Sequence, residues 1–478
     1  RSSTPPALSQ DYGQAGGSYR TGQTSYRTTT GSYSGSWDLP AYQDKIKYPY
    51  KPPVGVYGKV PRPPYYYHDY YWSLPWYTRL FFQPNYYYTP FGYHYFAPRL
   101  LTWFITLLVL GLLSVYSASF AVGYFEYGNA HYFIFRQLVF AGVGLLLMLG
   151  LMWVDYRRLR RPSVFFILLA LVLLGAVLLP GVGVVRNGAA RWLSVGPVEV
   201  QPSELAKLAV ILYISAWLAS RGPQVKQMSL GFLPFVLMVG LVGGLVVVEP
   251  DMGTAVIIVL VATTLFFMAG APISHLAILL VVGSFLSYLL VLTHDYRLAR
   301  ITAYVSAEND PQGTGFHVLQ LLNALGSGGL LGLGWGASRQ KFFYIPGAHT
   351  DGVFAILGEE LGFVGAVAVM LLFVVLLARG LRIAALARDR FGRLLAVGIT
   401  SWIGYQALIN IGGMTGVIPL TGVPLPLFSY GGSALVSNMI GLGLLLSVSR
   451  YIVPRPEAAT STSAGPWGPA VSRRRLPS

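Results

Sequence analysis

The sequence predicts an all-α polytopic membrane protein, and three observations carry that expectation. Apolar runs recur from Leu100 to Val448, each near the roughly 17–25 residues a helix needs to cross a hydrocarbon core of about 30 Å. Only 11% of the 478 residues are charged, against roughly 25% in soluble domains. The basic residues gather on alternate connections, as they do when cytoplasmic loops hold Lys and Arg.

Taken in order, ten spans are expected, at 100–122, 134–154, 163–179, 203–219, 232–248, 253–268, 273–292, 353–378, 394–411 and 433–448. An even number returns both termini to one side. Four arginines in Asp155–Arg161, Arg221 with Lys226, and five arginines from Arg379 to Arg393 mark that side as cytoplasmic. The outer face then receives the connections Pro180–Pro202, Thr293–Gly352 and Gly412–Gly432. The second is 60 residues long; loops above about 12–15 residues are uncommon unless functional or disordered. Its glycines and amphipathic content predict a large structured extracellular loop between helices seven and eight. The net charge of +16, so placed, indicates a membrane-proximal basic surface and no nucleic-acid partner. Without cysteine, disulfides and thiolate metal sites are excluded.

Three regions follow: an extension at 1–98, a membrane domain at 99–451 and a basic tail at 452–478. The extension holds 19 of the 32 tyrosines among many Ser, Thr, Gly and Pro. Its first half has too few aliphatic side chains to offset the ordering of its backbone and is expected to be disordered. Tyr65–Tyr95 suits either the lipid headgroup level or a docking partner. No short apolar segment follows a basic start, so no cleavable signal peptide is expected. The Pro-, Ser- and Arg-rich tail is expected to be disordered and cytoplasmic.

Function should then lie in the outer connections and in polar residues between helices. Gln201-Pro-Ser-Glu-Leu-Ala-Lys207 opens the fourth span with Pro202 in the first turn. Glu204 and Lys207 share a helical face. They form either a helix-orienting ion pair or a polar wall for an anionic headgroup, with Arg191 as the free cation. Glu249-Pro-Asp-Met-Gly-Thr254 reads as a tight reversal with Asp251 and Thr254 as caps. Near the end of the long connection Lys341, His349 and Asp351 are expected to converge. A carboxylate there can be partly desolvated, which raises its proton affinity towards that of a base, while a nearby cation opposes the shift. Asp351 could instead cap the eighth span, and His349 could be a hydrogen-bonding loop residue. Glu359 and Glu360, inside that span, require a cation or hydroxyl from another helix. Asn410–Ser433 is uncharged and broken by Gly and Pro; irregular backbone at membrane depth must line a cavity or be buried in protein. Ser429 and Ser433 there are candidates to meet a headgroup. No Walker loop, dinucleotide motif, HExxH or nucleophile elbow is present.

The motifs RNGAARW, QPSELAK, EPDMGT, DPQGTGFHVLQ, GSGGLLGLG, SRQKFFYIPGAHTD, GEELG and NIGGMTGVIPLTGVPLPLFSYGGS resemble, in order, those of the SEDS family. These are the shape, elongation, division and sporulation proteins, bacterial peptidoglycan glycosyltransferases, and QKFFYIP and MTGVIPLTG look more like the division branch (FtsW-like) or its sporulation relatives than the elongation branch (RodA-like). The resemblance covers about residues 100–450. It implies ten membrane helices, polymerisation of lipid II on the outer face of the cytoplasmic membrane at the division septum, and Asp351 as the catalytic carboxylate. It also implies a class B penicillin-binding protein and other division proteins as partners. The sequence departs from the family at Gly347, Gly352, His317 and Gly413, where a glutamate, a phenylalanine, a glutamine and a larger apolar residue are usual. The expected site is therefore catalytic Asp351, with Arg191, Lys341, Lys207, Glu204, Gln201, His349, Ser429 and Ser433 for substrate. No cofactor is evident, and a divalent cation could share the charge of the leaving diphosphate. A flippase for lipid II is the alternative function.

Overall fold

The computed structural model describes residues 97–452, except 187–188, 197, 294, 306, 308–309, 311–312 and 314, together with the backbone of two short hairpins. Strand β1 (Ser25–Thr28) pairs antiparallel with β2 (Gly31–Ser34), and β3 (Tyr88–Thr89) with β4 (Gly92–Tyr93). The disorder expected for the extension and the tail otherwise lies outside the described residues. Contacts divide the chain into two units, Arg1–Gln83 and Pro84–Ser478, and the described helices all belong to the second.

Ten apolar helices stand on the ten expected spans: α1 (Ala97–Tyr127), α2 (Tyr132–Trp153), α3 (Ser163–Val177), α4 (Pro202–Arg221), α5 (Leu233–Val248), α6 (Met252–Met268), α7 (Ile273–Leu292), α10 (Val353–Leu386), α11 (Arg390–Met414) and α12 (Gly432–Arg450). Eight lie in segments long and apolar enough to cross a membrane. The other two, α3 and α6, have 15 and 17 residues, about 22 and 26 Å at 1.5 Å per residue. The remaining helices, α8 (Asp295–Val305) and α9 (Phe316–Ser327), lie in the long connection, which is structured as expected. Helices α4, α11 and α12 are the most enclosed, whereas the apolar window of α7 is only 6% buried, as befits a helix facing lipid.

Capping residues begin several helices where the sequence places them. Pro202 occupies the first turn of α4. Asp251 accepts the Thr254 N–H at 3.1 Å to open α6, and Asp389 accepts the Gly392 N–H at 3.1 Å to open α11. Such caps satisfy amides that lack a partner within the helix.

Two features differ from expectation. The connection Pro180–Pro202 contains a small sheet, β5 (Gly183–Arg186), β6 (Ala189–Val195) and β7 (Val198–Val200), antiparallel in chain order. Its Val and Trp residues favour a pleated surface. Helix α10 is broken at Gly362, which takes φ 69° and ψ −169°. Residues Val353–Glu360 are all buried, so the expected eighth span is a buried half-helix followed, after the break, by a longer apolar one.

Contacts sort the connections into two ends. At one, the Tyr156 hydroxyl meets Asp389, and Arg390 donates to the Ala269 carbonyl at 2.7 Å. At the other, Arg191 donates to the Glu249 carbonyl, the Ser433 hydroxyl to the Glu199 carbonyl, and the Tyr430 N–H to the His349 carbonyl. The alternation is the one the spans require, with the arginine-rich connections together at the first end. This is a multi-pass membrane protein.

Candidate active site

Asp351 ends a tight turn just before the half-helix. Gly347 takes φ +67°, a conformation glycine alone adopts without strain, and its carbonyl accepts the Thr350 N–H at 2.9 Å and the Gly352 N–H at 3.1 Å. A β-carbon on Gly347 would lie 2.7 Å from Asp351 Oδ1, so the glycine that departs from the family pattern leaves room for the carboxylate. The Thr350 hydroxyl lies 3.0 Å from both the Gly347 carbonyl and Asp351 Oδ1 and can donate to one at a time. From α11, the Asn410 amide donates to the Asp351 carbonyl at 2.9 Å and the Val423 carbonyl at 2.8 Å. The N-cap of α10 is Gly352, with no side-chain cap. Asp351 therefore does not spend its carboxylate on capping, and the side chain is half-buried.

Arg300 on α8 and His317 on α9 complete this environment. A β-carbon on Gly422 would sit 3.6 Å from Arg300 Nη2 and 3.8 Å from Asp351 Oδ2, so both groups flank the same glycine. Arg300 Nη1 also donates to the Leu420 carbonyl at 3.2 Å. Burial lowers the proton affinity of His317; Arg300 adds to this and Asp351 opposes it. Its Nε2 is buried without a hydrogen-bond partner among the described residues.

A second polar group lies across the broken segment. Arg191, on β6, donates from Nε to the Glu249 carbonyl at 3.0 Å and from Nη2 to the Pro250 carbonyl. Gln201 donates its amide to Asp251 Oδ2 at 3.2 Å, and Ser203 lies 3.4 Å from the same oxygen. The Ser433 hydroxyl accepts the Gln201 N–H at 3.1 Å and donates to the Glu199 carbonyl at 3.3 Å. Glu249 is fully buried, and neither carboxylate oxygen has a partner among the described residues. Burial pushes its carboxyl up to about 8, Asp251 adds to the rise and Arg191 opposes it. The first turn of α6 packs on the broken segment: a β-carbon on Gly253 would lie 3.3 Å from the Thr421 carbonyl oxygen. Thr421–Val423 thus separates the Asp251 group from Asp351 and Arg300.

Several expected site residues are placed otherwise. Lys341 does not converge on Asp351: its ammonium is buried, 3.1 Å from Glu360 Oε1 and 3.3 Å from the Ser117 hydroxyl. Glu359 takes the Ser338 hydroxyl and the N–H groups of Arg339 and Gln340 at 3.0 and 3.3 Å. The two glutamates thus anchor the segment Ser338–Lys341, which supplies the cation to Glu360 and a hydroxyl to Glu359, while Ser117 on α1 donates its hydroxyl to Glu360 at 2.6 Å. His349 packs between Phe133 and Tyr430, ring centroids 4.5 and 5.6 Å away, and burial pushes its imidazole down to about 4. Lys207 is enclosed, 2.8 Å from Glu204 Oε1 and 3.2 Å from Gln406 Oε1, with Trp402 beneath it, as a helix-orienting pair would be. Arg191 is not a free cation, because it holds the carbonyls that end α5. The buried Ser429 hydroxyl accepts the Leu425 N–H at 2.8 Å and serves its own turn.

Arg300 is the neighbour of Asp351 that sequence reading passed over. Arg297, three residues before it, is buried and donates to the Leu290 and Val247 carbonyls. Spacing alone could not say which of the two flanks Gly422 with the carboxylate.

Comparison with known proteins bears on the family and the fold. The family model described as cell cycle protein, FtsW/RodA/SpoVE, matches residues 98–453. Stage V sporulation protein E of Bacillus subtilis is 45% identical over 357 residues, which cover 74% of this chain and 98% of the relative. The probable peptidoglycan glycosyltransferase FtsW of Geobacter metallireducens is 38% identical over 352 residues, 74% of this chain and 94% of the relative. Among solved structures, a chain from a study of polymerization and crosslinking by a peptidoglycan synthase complex superposes with a TM-score of 0.62 at 32% identity, over 74% of this chain and 97% of that one. The rod shape determining protein RodA of Thermus thermophilus does so with a TM-score of 0.56 at 31% identity, over 74% and 96%. Matched along its whole membrane domain by profile, sequence and structure, the chain belongs to the FtsW/RodA/SpoVE family of cell cycle proteins.

Proposed function

We propose that the protein is a peptidoglycan glycosyltransferase that polymerises lipid II on the outer face of the cytoplasmic membrane, and that Asp351 is its base. The observation that carries this reading is a half-buried carboxylate, not used as a helix cap, that shares the space around Gly422 with Arg300. Asp351 takes the proton of the acceptor sugar's 4-hydroxyl as that oxygen bonds to the donor's anomeric carbon. The bond from that carbon to the diphosphate breaks, and undecaprenyl pyrophosphate leaves with the electron pair. Diphosphate is a good leaving group and needs charge stabilisation more than a proton, so one carboxylate suffices where glycoside hydrolysis uses two.

Arg300 is the cation we assign to the diphosphate. Among the described residues no three His, Asp or Glu side chains gather as a metal site. Arg191, Gln201 and Ser433 are half-buried and form the wall beyond Thr421–Val423. Lys341, Lys207 and Glu204 support the site from buried ion pairs.

Asp351→Asn should lower polymerisation of lipid II by purified protein about 10²–10⁴-fold, the usual worth of general-base catalysis, with the fold intact. Glycan synthesis near the parent rate would refute the assignment. Movement of the lipid II headgroup across reconstituted vesicles without polymer would favour a flippase instead. The similarity to a chain from a synthase complex that couples polymerization to crosslinking supports a crosslinking partner, for which we assign a class B penicillin-binding protein. Similarity to an FtsW and to a sporulation protein supports a role in septal wall synthesis.

A further inference from the structure

We infer that the arginine-rich end of the bundle carries a binding site for the headgroup of an anionic phospholipid. The connection between α2 and α3 forms a short 3₁₀ turn, Tyr156–Arg160, over a cavity of about 640 Å³. That volume lies within the roughly 300–1,000 Å³ of small-molecule sites. Arg157, Arg158, Arg160 and Arg161 line it with Phe391 and a single acid, Asp389.

Asp389 is already engaged. It takes the Tyr156 hydroxyl and the Gly392 N–H, and Arg157 Nε lies 3.5 Å away. Arg157 is further held over the rings of Tyr156 and Tyr451, 5.5 Å from each centroid. The guanidiniums of Arg158, Arg160 and Arg161 are exposed and have no acidic partner among the described residues. Three unpaired cations around one concavity repel each other, and an anion of matching size relieves that repulsion.

Lipid is the occupant that the surroundings favour. Arg160 and Arg161 immediately precede α3, whose Val164, Phe165 and Leu168 are exposed apolar side chains. On the other flank Trp153 is exposed, with the Arg450 guanidinium 4.7 Å above its ring, as in an aromatic belt at the headgroup level. An acyl chain lying along α3 would bring its phosphate level with the arginines. Basic pockets at the ends of membrane helices recognise anionic headgroups in this way.

The test is native mass spectrometry of the full-length protein titrated with dioleoyl phosphatidylglycerol or dioleoyl phosphatidylcholine. Phosphatidylglycerol should be retained in preference. The triple variant Arg158→Gln, Arg160→Gln, Arg161→Gln should weaken it about a hundredfold, since each of the three arginines near an anionic surface contributes about 1 kcal/mol. A control at the same end, Arg221→Gln with Lys226→Gln, should leave it unchanged. If the triple variant melts lower in phosphatidylcholine, Arg160→Gln and Arg161→Gln singly should each weaken retention several-fold without that loss. Equal retention by parent and triple variant would overturn the proposal. So would an equal loss in the control, which means a diffuse field, or displacement of the lipid by an acidic peptide with higher affinity, which means a protein partner.

Discussion

Three carboxylates that look alike in the sequence have different situations in the fold. Asp351 is half-buried beside Arg300, Glu360 is paired with Lys341, and Glu249 is sealed without a partner among the described residues. Different consequences follow on substitution. Lys341→Met leaves Glu360 buried and uncompensated, a loss of about 3–5 kcal/mol, so its melting temperature should fall sharply. Asp351→Asn should leave melting almost unchanged while activity falls about 10²–10⁴-fold. Equal melting of the two variants would place Lys341 outside the ion pair. Glu249 provides a pH test. Its fold-raised proton affinity, about 8 against an ordinary 4.5, means that the folded chain binds more protons than the unfolded chain between those values. The stability so conferred is full below the lower value and is lost as pH rises through the higher one. Melting of Glu249→Gln should therefore match the parent in acid, exceed it progressively between about pH 4.5 and 8, and keep a constant lead above that. His349, pushed down to about 4 by burial, should give the opposite slope, its contribution lost as pH falls from the normal histidine range of about 6.5 towards the folded value. At this scale the sequence showed which residues were expensive to bury. It did not show which partner met each one, because partners such as Ser117 and Glu360, or Lys207 and Gln406, lie far apart along the chain.

The break in α10 decides how those residues are held. Gly362 is in a region that L-residues avoid, and a β-carbon there would lie 2.3 Å from the Gly332 amide nitrogen and 2.6 Å from the Leu330 carbonyl oxygen. The half-helix also passes its Glu359 and Glu360 carbonyls to the Leu333 and Gly334 N–H groups, both at 3.0 Å. Gly362→Ala should cost at least the roughly 1–3 kcal/mol of a strained backbone, because these contacts are with backbone and cannot swing aside. Thermal melting should show it, and loss of activity should accompany it as the glycine-rich segment shifts. A variant that melts like the parent would mean that the helix runs straight. The sequence reads here as one long apolar helix, since Leu361-Gly-Phe-Val-Gly365 is compatible with one. The break is imposed by the adjacent backbone of Leu330–Gly334, a contact that no local pattern announces.

At the scale of the whole molecule, charge and connectivity agree on orientation. The ten described helices on the expected spans alternate between a basic end and an end that gathers Asp351, Asp251 and Arg191, and the absence of cysteine makes the arrangement directly testable. Ser194→Cys on β6 should react with a membrane-impermeant maleimide on intact protoplasts. Ser220→Cys near the end of α4 should react only after permeabilisation. The reverse pattern would turn the protein over and remove the outer-face polymerase from consideration. We propose that the extension and the tail together tether the protein to cytoplasmic division machinery; deleting both should reduce septal localisation, and undiminished localisation would discard the idea.

The sequence by itself determined the membrane architecture, the places of the described apolar helices, the alternation of basic connections and the stretch that holds Asp351. Hydropathy and arginine placement act locally, span by span, so they can be read in one dimension. Only the tertiary structure decided which charges are spent on each other and which stand beside Asp351. Lys341 and Lys207 go into buried pairs because low-dielectric surroundings do not tolerate a lone ion. Arg300, from a helix about fifty residues earlier in the chain, comes to stand beside Asp351.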